Sequence, residues 1–222
     1  MLPFPRRGIA LAASPPMTDS SIPFARDPES GPPVSRGRLG ALLWIACETM
    51  VFAGLVGTFI LARFSAPMWP APYMDGGVQV LPKKVGLLIP VVNAVVLTVA
   101  TLYAMRASRA AREGNEAQVR AALKRVSLFG VAFLALVFAE LKIEGDRGLS
   151  LQAGIYGSFI ILITMVHAIH VLAGLVWHWV ILRRPLTLPL GEVNRDRIEV
   201  VTLWWGYVTV VWYLLLGLLH FV

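Results

Sequence analysis

The 222-residue sequence is poor in cysteine and in charge. A single cysteine, Cys47, excludes a disulfide framework within the chain and excludes a zinc site built on cysteines. Charged residues are 15% of the chain while apolar ones are 57%. A typical soluble domain carries about 25% charge, so a soluble globular fold and a disordered chain are both set aside. Mean hydropathy is +0.69, in the same direction. No internal repeat is present, and no basic stripe with interleaved aromatics lies outside the apolar runs. The first weakens a repeat-built transporter; the second leaves nucleic acid without a surface to bind.

Five long apolar runs are present. Residues 39–62 hold one charge, Glu48; residues 85–105 hold none; residues 155–182 and 200–222 contain no Asp, Glu, Lys or Arg. The third run, 127–141, is shorter, contains Glu140, and reaches back toward 117–120 as a helix. About 20 helical residues cross a bilayer core of about 30 Å. Backbone groups in lipid need partners within their own segment, so these runs are helices rather than open strands. The expected fold class is all-α, a polytopic membrane bundle of five transmembrane helices over about 39–62, 85–105, 120–141, 155–182 and 200–222. Pro90 falls near the start of the second span, where a missing N–H costs least. Residues 1–37 hold eight of the fifteen prolines and show no helical or strand period, so they read as a disordered cytoplasmic tail. Arg6-Arg7 before a short apolar stretch is the rival reading, a signal peptide, and Met17 is an alternative start.

The net charge of +7 is distributed by side. Segments 1–38, 106–126 and 183–199 carry 15 Lys and Arg, against 5 in segments 63–84 and 142–154. Basic residues collect on the cytoplasmic side, which places the amino terminus there and the carboxyl terminus outside. The surplus therefore reads as topology and contact with anionic lipid.

Several residues do not belong in lipid. Glu48 stands alone in the first span, either as a proton-linked carboxylate or as a neutral, hydrogen-bonded structural acid. Gly54 and Gly57 offer a small-residue patch for close helix contact. Glu140, Lys142 and Glu144 read as markers of the interface, with Lys142 extending its stem toward water. On the fourth span, His170 lies about 60° from His167, and His178 returns to within about 20° of it, so the three form a polar helix face. That stripe admits two readings: hydrogen bonds between helices, or a haem site completed by His220 on the fifth span. No carboxylate motif accompanies it to complete a metal shell. Trp204, Trp205, Trp212 and Tyr213 on the fifth span suggest an interfacial belt and a packing face.

Four stretches resemble subunit III of the haem-copper oxidases, over about 38–222. Glu48-Thr-Met-Val-Phe-Ala-Gly54 is similar to that family's Ser-Glu-x-Met-Phe-Phe-Ala-Gly. Pro90-Val-Val-Asn93 resembles its Leu-Asn-Thr helix start. Tyr156-Gly-Ser158 with His167-Ala-Ile-His170-Val-Leu-Ala-Gly174 resembles Tyr-Gly-Ser with His-Gly-Leu-His-Val-x-x-Gly. Trp205-Gly-Tyr-Val-Thr-Val-Val-Trp212 resembles Trp-His-Phe-Val-Asp-Val-Val-Trp, with Gly206 and Thr209 where the family has His and Asp. Five helices match the shorter bacterial members.

The resemblance implies a non-catalytic subunit of a cytochrome c oxidase in the bacterial inner membrane, supporting electron transport, proton uptake and stability of the complex. It implies no catalytic residue and no metal on this chain, haem and copper in partner subunits I and II, and bound phospholipid. Glu48 takes the carboxylate role, His167, His170 and His178 the polar face, and Asn93, Tyr156, Trp205 and Trp212 lipid or subunit contacts. An accessory subunit of a nitric-oxide reductase is the alternative, and a stand-alone haem-binding carrier a third.

Overall fold

The computed structural model describes residues 36–183 and 192–221. Most of the expected tail over 1–37, and residues 184–191 of the third basic segment, lie outside the described residues. Five helices follow in order: α1 (Arg36–Ser65), α2 (Leu88–Arg112), α3 (Glu116–Asp146), α4 (Gly154–Arg183) and α5 (Glu192–Phe221). Each is long and apolar enough to cross a membrane. Between α1 and α2 lies a hairpin of β1 (Tyr73–Asp75) and β2 (Val78–Val80), with Tyr73 opposite Val80 and Asp75 opposite Val78. Its two-residue turn is Gly76-Gly77, both at positive φ, the conformation that matches the twist of antiparallel strands.

The helices outrun the apolar segments. At 1.5 Å per residue they span about 37–47 Å, more than the hydrocarbon core. The expected basic loop over 106–126 is therefore almost all helix, because Ala, Arg, Glu, Gln and Lys sustain a helix beyond the lipid. Only residues 113–115 turn the chain. Gly114 takes φ 74°, its N–H and that of Asn115 return to the carbonyls of Ala111 and Ala110, and the Asn115 side chain accepts from the Gln118 N–H at 3.1 Å.

The core joins four helices: Leu97, Ala100 and Ala104 of α2, Phe133 and Val137 of α3, Ala168 and Val171 of α4, and Trp204, Trp205 and Trp212 of α5. Alanines at α2 positions 100, 104, 107 and 111 are fully covered, which lets α2 lie close to α3 and α5. Gly130 is overlain by Leu175 and the Trp205 ring, each within 2.7 Å of where its Cβ would stand, and Gly174 is overlain by the Trp204 ring. Small residues therefore do admit close packing, but not at Gly54 and Gly57, where a Cβ would meet open space. Helix α1 touches α4 and α5 along one face, on which Phe52 and Phe59 are buried. Its other faces, with Leu43, Trp44, Met50, Leu61 and Phe64, are exposed.

Candidate functional site

Glu48 and His170 meet at the seam between α1 and α4. Glu48 Oε2 lies 2.7 Å from His170 Nε2, and His170 Nδ1 lies 2.7 Å from the carbonyl oxygen of Val166. A carbonyl can only accept, so Nδ1 carries a proton. The remaining short contact needs one more proton, either on Glu48 donating to Nε2 or on Nε2 donating to the carboxylate. In both forms the pair is neutral overall. That is the low-cost arrangement for two ionisable groups among apolar helices. The side chains are 20% and 13% exposed, so the seam is accessible from outside the bundle. Phe52 packs against the His170 ring at 4.9 Å, and Trp204 lies parallel to it at 6.2 Å.

The three histidines of α4 serve three different neighbours. His170 turns to α1. His167 is fully buried among Phe52, Phe133 and Trp212, and neither of its ring nitrogens has a hydrogen-bond partner among the described residues. His178, also buried, donates from Nε2 to the Leu123 carbonyl of α3 at 2.7 Å, beside the edge of Trp205. His220, the other ligand weighed for haem, bonds through Nδ1 to its own helix at Leu216. The stripe thus divides into interhelical contacts. Among the described residues no group of three or more His, Cys, Asp or Glu is placed to hold a metal ion.

The side chains expected at lipid or subunit contacts pack within the bundle of this chain. Asn93, Tyr156, Trp205 and Trp212 are all buried. Trp212 donates from Nε1 to the Pro90 carbonyl at 3.1 Å, tying α5 to the start of α2. The Tyr156 hydroxyl accepts from the Val85 N–H at 3.1 Å. Glu140 and Glu144 are likewise buried in the bundle. Glu144 accepts from Arg147 Nη1 at 2.8 Å and from the Gly86 N–H at 3.2 Å, so one carboxylate joins the end of α3 to the entry of α2. Lys142 does stay outside, paired loosely with Asp146 at 3.4 Å. Thr209 bonds Thr101 of α2 at 2.8 Å, while a side chain at Gly206 would enter open space.

This arrangement of five apolar helices can be set beside known proteins. The family model for cytochrome c oxidase subunit III matches residues 29–221. The chain belongs to the cytochrome c oxidase subunit III family. Its relatives include the cytochrome c oxidase subunit 3 of Pongo abelii, 30% identical over 184 residues that cover 81% of this chain and 67% of that protein. The probable cytochrome c oxidase subunit 3 of Nocardia farcinica is 26% identical over 185 residues, covering 83% and 87%. That of Oryctolagus cuniculus is 28% identical over 187 residues, covering 82% and 68%. As a subunit III chain it is a non-catalytic membrane component of an oxidase complex, and the comparisons favour this over the nitric-oxide reductase alternative. The Glu48–His170 contact was not foreseen: the sequence showed each residue as a polar intruder in its own span but carried no sign that they pair.

Proposed function

We propose that this subunit III sits in a bacterial inner membrane against subunits I and II of its oxidase, where haem and copper reside, and sustains proton uptake through Glu48. The observation that carries this reading is the 2.7 Å Glu48–His170 contact, a neutral pair one proton away from a charge of either sign, at an accessible seam. Phospholipid fits the same seam further along α1, where Gly37, Gly40, Ala41, Trp44, Ala173 and Trp177 line an apolar groove of about 440 Å³. A pull-down of the tagged chain from native membranes in mild detergent tests the assembly. Co-elution of a haem-copper subunit I and a subunit II, with their haem spectrum, is expected; a chain that elutes with nitric-oxide reductase subunits, or alone with its own haem, contradicts it.

The charge asymmetry supports a cytoplasmic amino terminus, with the α2–α3 turn on the same side. A cysteine replacing Asn115 is then shielded from impermeant thiol reagents in intact cells; labelling from outside reverses the topology.

A further inference from the structure

The α2–α3 turn carries a charged cavity far along the helices from any use made of it above. Arg106 and Arg109 at the end of α2 and Arg125 near the start of α3 line a cavity of about 410 Å³, with Tyr103, Glu113 and Gln118. The guanidinium carbons of Arg106 and Arg125 lie 5.1 and 5.2 Å from the centroid of the Tyr103 ring. That ring is itself stacked on Phe129 at 5.8 Å and 13°. One fixed aromatic thus positions two cations from different helices.

These cations differ from the arginines nearby. Arg112 is paired with Glu199 and Arg120 with Glu116. Among the described residues no carboxylate lies within ion-pair distance of Arg106, Arg109 or Arg125. Glu113, the one acid on the wall, leaves three guanidinium groups against a single carboxylate. Like charges gathered without counter-ions repel, and a bound anion removes that cost. Guanidinium forks suit the oxygen geometry of phosphate.

The surroundings say which phosphate. Within a turn or two of these arginines along the same helices, Leu102 on α2 and Leu128 and Val131 on α3 are exposed and apolar. Tyr103 adjoins both zones, and tyrosine is a residue enriched at membrane–water interfaces. A ligand with a charged head and hydrocarbon tails meets both surfaces at once, whereas a free anion uses only the first.

We propose that Arg106, Arg109 and Arg125, arranged around Tyr103, form a phosphate-binding site whose ligand is the headgroup of an anionic phospholipid. The proposal needs only that the helices span a membrane, and stands apart from any role of Glu48. The test uses the whole oxidase complex in nanodiscs, with phosphatidylglycerol and phosphatidylcholine as probes and lipid retention read by native mass spectrometry. The complex is expected to hold a phosphatidylglycerol that Arg106→Gln/Arg109→Gln/Arg125→Gln releases, with preference over phosphatidylcholine falling on the order of a hundredfold. Lys124→Gln, a single loss of charge off the cavity wall that matches Arg125→Gln, leaves retention unchanged. If the triple variant fails to assemble, Arg125→Gln alone is read the same way, with a loss of roughly fivefold. Inorganic phosphate added to discs of phosphatidylcholine alone separates the sources. Binding there that the arginine variants abolish would keep the site and make free phosphate its ligand. Equal phosphatidylglycerol retention in parent and variants, with no phosphate binding, overturns the proposal.

Discussion

Helices α1 and α2 look alike as sequence and differ as structure. Both are apolar spans of ample length. Yet α2 buries ten residues, most of them small, while on α1 only Phe52 and Phe59 are buried among the described side chains. Lipid is as apolar as a side chain, so an apolar surface alone does not draw two membrane helices together; close packing and interhelical polar contacts do. Helix α2 has both, through its alanine column, the Trp212–Pro90 bond and the Thr101–Thr209 bond. Helix α1 has aromatic contacts and the close Glu48–His170 link. The bundle is therefore held by α2–α5, and the proton-holding pair lies on its least embedded edge.

This contrast can be broken by substitution. The largest effect is expected in the four-helix core. Trp212→Ala removes ring contacts to Phe133 and His167 and the bond to Pro90, with a cavity cost of a few kcal/mol. Recovery of the assembled complex on native gels should fall steeply, while Met50→Ala on the outer face of α1 leaves it intact. Equal losses from the two would erase the distinction. A smaller effect is expected from added volume. Gly174→Leu forces its side chain into the Trp204 ring at a cost of about 1–3 kcal/mol. Gly54→Leu enters open space, and thermal inactivation midpoints should separate the two variants in that order.

How much of this was legible in the sequence follows from the same physics. Helix number and approximate span were readable because a membrane imposes a length and an apolar content. The hairpin over 73–80 was not, since three-residue strands leave no period to detect. Which face of each helix turns inward was hardest to read. Helix α4 is apolar nearly all round, so nothing in its pattern distinguishes lipid from core. Tyr156 on α4 is buried, and no periodicity there marked it as a core residue, whereas the shared face of Trp205 and Trp212 on α5 was legible as a packing face. The histidine stripe was real as an angle. But the 60° between His167 and His170 is enough to send one into the core and the other to the α1 seam. The pairing of Glu48 with His170 spans 122 positions, and no local pattern reports it.

The central claim is that this pair, and not packing by α1, is what the seam contributes to the oxidase. Glu48→Gln keeps the shape and a hydrogen bond to His170 but cannot release or take up the shared proton. The direct measurement is the initial rate of dioxygen reduction, and its lifetime over sustained turnover, in the purified complex carrying Glu48→Gln. The expected result is a fully assembled complex with an unchanged initial rate and a shortened active lifetime or lowered proton pumping. An assembled complex with parental lifetime and pumping would contradict the account and leave Glu48 a structural acid.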